Sequence, residues 1–121
     1  MTGTQEPARP GRLAADHTTL NGILVVTLSG EIDHTVKDQF SNALLSRDGA
    51  APLRIVADLS EVTFMDSSGI NILLTTHQKA VSKQGWLRIA GAQQAVQRVL
   101  HIVGVDQFIG CHPTLEQALT R

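Results

Sequence analysis

The residues best placed to do chemistry cluster in Asp66-Ser67-Ser68-Gly69, which follows the apolar run Leu53–Leu59 and opens an amphipathic pattern. A helix start leaves backbone N–H groups without intrahelical acceptors and carries the positive end of the helix dipole. A phosphoryl group on a first-turn hydroxyl therefore finds donors waiting. Asp and Ser are also favoured as plain helix caps. Here Asp66 supplies the cap, and Ser67 and Ser68 add two hydroxyls in a turn kept open by Gly69. Ser67 is read as a phosphorylation site, with Ser68 as the alternative acceptor. Asp33, at the end of Gly30-Glu31-Ile32-Asp33, reads on its own as the cap of the first long helix.

Other chemistries lack their residues. The five histidines, His17, His34, His77, His101 and His112, show no ligand-like i, i+4 pair, so no metal site is expected. His77 falls on an apolar stripe and reads as a hydrogen-bonded core histidine. His34 beside Asp33 could suggest a serine hydrolase, but Asp-Ser-Ser-Gly lacks the flanking glycines of a nucleophile elbow. Gly85 and Gly91 are too far apart for a dinucleotide fingerprint, and no Gly-Lys-Ser/Thr occurs, so no nucleotide cofactor is expected. A phospho-aspartate receiver would use Asp58 at the end of a central strand. It would also need an acidic pair near Leu28-Ser29-Gly30 and a lysine within 107–111, and both are missing.

The elements that must position the turn alternate. Leu13 to His17 reads as a short strand, and Asn21-Gly22 as a hairpin turn before the strand Ile23–Leu28. Val36, Phe40, Ala43 and Leu44 share one helical face, and Asp48-Gly49 ends that helix. Leu53–Leu59, short and rich in branched apolar residues, reads as an interior parallel strand. In the next helix Ile70, Leu73, Leu74, His77 and Val81 face the sheet, while Asn71, Thr75, Gln78 and Lys79 face water, and Gly85 is the stop. Then follow a strand over Trp86–Ala90, a helix over Gln93–Val103 with Val96, Val99, Leu100 and Val103 inward, a strand over Gln107–Cys111 and a helix over Thr114–Leu119. Strands and helices in this order predict an α/β class: one mixed, mostly parallel β-sheet with an N-terminal hairpin, packed with about four α-helices.

The chain has 121 residues, enough for one compact core and too few for two ordinary domains. Residues 1–11, polar and containing Pro and Gly, are expected to form a flexible tail, with one domain over 12–121. Ten Lys plus Arg against eleven Asp plus Glu give a net charge of −1, which offers no field to draw nucleic acid or an anionic membrane. Cys111 is the single cysteine, so no internal disulfide forms. No apolar run approaches the roughly 20 residues needed to cross a bilayer. The expected location is the cytoplasm.

Phe64-Met65-Asp66-Ser67-Ser68-Gly69 and Gly30-Glu31-Ile32-Asp33 together resemble the signature of the STAS-domain anti-sigma factor antagonists, over roughly Leu13 to Leu119. The resemblance implies a STAS-like single domain with no catalysis of its own. Unphosphorylated, it binds an anti-sigma factor of the serine-kinase type and so frees the sigma factor and regulates transcription. That kinase phosphorylates Ser67, and a metal-dependent serine phosphatase resets it. The resemblance also implies that Asp33 lies near Ser67, that Asp33, Asp66 and Gly69 surround the phosphosite, and that Asp33, His34, Ser67, Ser68, Asn71 and Thr75 meet the partner. Asn71 departs from the second glycine that many antagonists carry, a change that bears on the partner. An alternative with the same fold, a STAS module of a transporter or lipid-trafficking complex, is disfavoured by the context of Ser67.

Overall fold

The computed structural model describes residues 13–46 and 51–120. The expected tail over 1–11 and the helix end at Asp48-Gly49 lie outside the described residues. In chain order the elements are β1 (Leu13–Leu20), β2 (Ile23–Ile32), a 3-10 turn (His34–Val36) leading into α1 (Lys37–Leu44), β3 (Arg54–Met65) and α2 (Ser67–Ser82). They continue with β4 (Trp86–Ala90), α3 (Gln94–Val103), a 3-10 turn (Val105–Gln107), β5 (Gly110–His112) and α4 (Leu115–Thr120). The strands form one sheet in the order β1-β2-β3-β4-β5. β1 and β2 pair antiparallel, and every other pair is parallel. Asn21 and Gly22 both take positive φ, 52° and 80°, as a two-residue hairpin turn of this kind requires.

The two-residue period of the strands divides the core. Leu24, Val26 and Leu28 of β2 and Ile55, Ala57 and Leu59 of β3 join one cluster with Phe40 and Leu44 of α1, Leu73 and Ala80 of α2, and Val96 and Leu100 of α3. The alternate residues Val25, Val56 and Ala90 meet Ala118 of α4, with Ile23, Trp86, Leu115 and Leu119 packed alongside. The Arg88 guanidinium lies 3.7 Å from the centre of the Trp86 ring and donates to the Ala118 carbonyl at 2.8 Å, tying α4 to β4.

Several boundaries differ from the sequence reading. β1 runs on to Leu20 because every residue from Leu13 to Leu20 finds a partner on β2. β3 runs past Leu59 to Met65, though Ser60, Glu61, Thr63 and Phe64 are exposed. Its pairing with β4 stops at Asp58 opposite Ala90, so beyond that point it pairs only with β2, through two register shifts. Its open side is no longer covered by β4, which is why the continuous apolar run that marks a buried parallel strand ends there. Residues 105–107 form a 3-10 turn and Ile109 is buried before a strand of only Gly110–His112, shorter than the expected 107–111.

In α2 the buried stripe is Gly69, Ile70, Leu73, Thr76 and Ala80, and Val81 is 53% exposed. The stripe is rotated from the expected one because small residues let the helix approach the sheet more closely than Val81 would. The Nδ1 of His77 is buried without a hydrogen-bond partner among the described residues. Its helical neighbours Leu73, Leu74 and Ala80 offer no side-chain acceptor. Val103 at the end of α3 is likewise exposed, at 55%, since the chain turns away at Gly104 with φ 89°.

Gly85 does not supply the left-handed stop of α2. Gln84 does, with φ 62°, while the Gly85 amide donates to Ala80 at 2.8 Å and the Gln84 amide to Val81 at 3.0 Å. Gly85 is needed instead for close approach, since a Cβ there would stand 1.8 Å from the Leu53 carbonyl oxygen. Backbone cannot give way as a side chain can. Gly85→Ala is therefore expected to cost about 3 kcal/mol or more, the upper end of overpacking penalties, read as a lowered urea midpoint. A change within about 0.5 kcal/mol, the range of ordinary surface substitutions, would show that the Leu53 contact relaxes freely.

Candidate functional site

The last pair of the β2–β3 register is Ile32 opposite Met65, and an aspartate follows each. The Asp66 amide donates to the Ile32 carbonyl at 3.1 Å, which ties the two exits together. Both aspartates cap helical turns in the same manner. Asp33 Oδ1 accepts from the Thr35 amide at 2.9 Å and from the Thr35 hydroxyl, and the Asp33 carbonyl accepts from the Val36 amide at 3.2 Å. Asp66 Oδ1 accepts from the Ser68 amide at 2.8 Å, and the Asp66 carbonyl accepts from the Ile70 amide at 3.2 Å. Two Asp-capped helical starts therefore stand side by side at one end of the sheet, and the residue after each cap, His34 or Ser67, is exposed.

Gly69 makes this possible for α2. It is buried, and a Cβ there would come within 2.7 Å of Met65 Cγ and 2.9 Å of Ile32 Cγ2. The first turn of α2 thus rests directly on the terminal strand pair. Gly30 has φ 115°, a conformation that favours glycine, and it precedes the register shift that brings Glu31 opposite Phe64. Phe64 stays 47% exposed beside the turn.

Ser67 is the first residue of α2 and is exposed, whereas Ser68 is half-buried and lines a cleft of about 350 Å³ between α1 and α2. Asn71 and Thr75, both exposed, line the same cleft from α2 along with Ile72, and Lys37, Asp38 and Ser41 line it from α1. His34 is not part of that lining. Sequence reasoning missed Thr35, whose place two residues after Asp33 matches that of Ser68 after Asp66. It also missed the α1 wall, whose Lys37 and Ser41 stand at i and i+4.

The Thr35 hydroxyl holds the Asp33 carboxyl below the usual carboxylate range against the opposing effect of desolvation, and the Thr35 amide, the neighbouring His34 and the Val36 amide add smaller contributions in the same direction as the hydroxyl. Away from the turn, burial raises the Cys111 thiol to about 11, an inert state. Among the described residues, no group of three or more His, Cys, Asp or Glu side chains could hold a metal ion, and no helix is long and apolar enough to cross a membrane.

The STAS-domain family profile matches residues 14–118 of this chain. The anti-sigma-F factor antagonist RsfB of Mycobacterium tuberculosis is 31% identical over 106 residues, which cover 88% of this chain and 84% of RsfB. The chain belongs to the STAS-domain anti-sigma factor antagonist family. The anti-sigma F factor antagonist of Paenibacillus polymyxa is also similar, 31% identical over 103 residues that cover 82% of this chain and 86% of that protein. The crystal structure of an anti-sigma factor antagonist from Mycobacterium paratuberculosis superposes with a TM-score of 0.85 at 31% identity, over 94% of this chain and 97% of that one. The expected STAS fold, with its five-stranded mixed sheet, four helices and N-terminal hairpin, is the observed one.

The two caps of this STAS domain differ in what they support. Asp66→Ala strips the cap from a 16-residue helix and is expected to cost about 1 kcal/mol in chemical denaturation. Asp33 is a stronger acid folded than unfolded, so its carboxylate stabilises the fold above the usual carboxylate range and stops doing so as the pH falls through the lowered value. Asp33→Asn should therefore be less stable than wild type at neutral pH, the gap closing in acid. A gap that widens on acidification would overturn this account of the Thr35 contact.

Proposed function

We propose that this protein is an anti-sigma factor antagonist that works as a phosphorylation-controlled partner switch. Unmodified, it docks an anti-sigma factor through the exposed end formed by Asp33, His34, Ser67, Ser68, Asn71 and Thr75, and so frees the sigma factor. The anti-sigma factor, a serine kinase using its own ATP, phosphorylates Ser67 and releases the domain, and a serine phosphatase restores it. The protein contributes no catalysis of its own and acts in the cytoplasm.

The observation that carries this reading is the difference between the two hydroxyls. Ser67 is exposed at the first position of α2, while Ser68 is half-buried in the cleft with its amide engaged by Asp66. A kinase can reach the first more readily than the second. A phosphate on Ser67 would add about −1.5 to −2 charge and three acceptor oxygens beside Asp33 and Asp66, changing both the charge and the shape of the docking surface.

Capture of partners from the source cell on wild-type and Ser67→Ala protein, with phosphopeptide mapping of the wild type, tests acceptor and partner together. The expected result is phosphate on Ser67 and an anti-sigma factor retained more persistently by Ser67→Ala. Calorimetric titration of that purified partner should then show phosphoprotein bound roughly 150-fold more weakly than Ser67→Ala, equivalent to about 3 kcal/mol, and Ser67→Asp weakened less, since aspartate carries about half the charge. Phosphate found only on Ser68 or Thr63, or phosphoprotein that binds as tightly as Ser67→Ala, would overturn the switch.

A further inference from the structure

We propose that the cleft between α1 and α2 selects the partner, and that Lys37 does so by pairing with an acidic side chain of the anti-sigma factor. This rests on the partner-switching reading and adds a wall of the docking surface that the phosphosite turn does not supply. Ser68 belongs to both features, since its amide caps on Asp66 and its side chain lines the cleft, so a partner seated over Ser67 meets the cleft next.

Within the described structure, the side chains of Lys37, Ser41, Ser68, Asn71 and Thr75 make no hydrogen bond or ion pair with the rest of the chain. Their donors and acceptors remain available along two facing helix ridges, Lys37 and Ser41 at i, i+4 on α1 and Ser68, Asn71 and Thr75 at i, i+3, i+7 on α2. Ile72 gives the cleft an apolar element.

The position of Lys37 is the decisive feature. It opens α1 one turn after the Asp33 cap, with its amide already donating to the His34 carbonyl, and its side chain lines the cleft. Among the described residues no hydrogen bond or ion pair engages its ammonium, which stays available to a group from outside the chain. Asp33, Asp38 and Asp66 make the surrounding rim acidic. An acidic partner side chain is repelled along that rim and accepted at Lys37, which fixes where the partner can sit as well as how tightly.

The test titrates the purified anti-sigma partner into unphosphorylated wild type, Lys37→Ala, Lys37→Glu and Arg98→Glu. Arg98, exposed on α3, provides the same charge change away from the cleft. Circular dichroism confirms that each variant is folded. The expected result is binding about tenfold weaker for Lys37→Ala, weaker again for Lys37→Glu, unchanged for Arg98→Glu, and a shallower salt dependence once Lys37 is removed. If both Lys37 variants bind as wild type while Ser67 phosphorylation still releases the partner, the inference fails and the switch stands. Equal weakening by Arg98→Glu also defeats it, since the effect would then be net charge. If wild type does not bind the partner at all, the switching reading fails and takes this inference with it.

Discussion

The parallel pairing of β2 with β3, closed by Ile32 opposite Met65, is the constraint on which the rest depends. Parallel neighbours end on the same side of the sheet, so the residues that follow them emerge together. Because each next residue is an aspartate, two helical starts are capped side by side, and the Asp66 amide bond to Ile32 sets their spacing. Gly69 completes the arrangement by letting α2 seat on that terminal pair without a side chain between. The exposure of Ser67 follows from these contacts and from nothing in its own side chain.

The electrostatics at this end oppose one another on a similar scale. A helix N-terminus favours a surface anion by about 0.3–1 kcal/mol, and like charges at an exposed site cost amounts of the same order once water screens them. The caps already engage the Thr35 and Ser68 amides, so an added phosphate would not need to break them. Under the proposed switch, then, the near-cancellation inside the domain leaves the fold in place and directs the effect of the phosphate outward. What changes is the face offered to a partner, where desolvation makes charge count for more.

How much of this could be read in the sequence varied with the physics of each element. The turn over Asn21-Gly22, the inner strand from Leu53, the interior face of α1 and both aspartate caps announce themselves because local chemistry dictates them: positive φ, a run of branched residues, a helical stripe, a short acidic side chain at a helix start. The family was legible for the same reason, since both motifs lie where local rules are strict. The far half of β3 was not, because one open side lets polar residues into a strand. The rotation of α2 was missed because Val81 looks more apolar than Thr76 or Ala80, yet the smaller residues permit closer packing and are the ones buried. The role of Gly85 was obscured because a glycine after a helix looks like a cap, and only the tertiary approach of Leu53 reveals the clash it avoids. The α1 wall of the cleft was hidden for a related reason: Lys37 and Ser41 acquire meaning only when α2 is laid beside them.

Under the proposed switch, α2 serves stability and recognition without conflict. Its small and apolar residues, Gly69, Ile70, Leu73, Thr76 and Ala80, face the core, so changes there act on folding through overpacking or cavities. Ser67, Asn71 and Thr75 face outward, and substitutions at such positions usually alter stability by less than about 0.5 kcal/mol. Under the proposed switch, a partner reads only the second set. The outward face can therefore diverge with the core held constant, and Asn71 lies on the face that is free to vary. Lys37 extends the same logic to α1, since it opens that helix over an interior set by Val36, Phe40 and Leu44. The buried halves of the two helices fix their separation, and that separation makes a cleft whose chemistry belongs to the exposed halves.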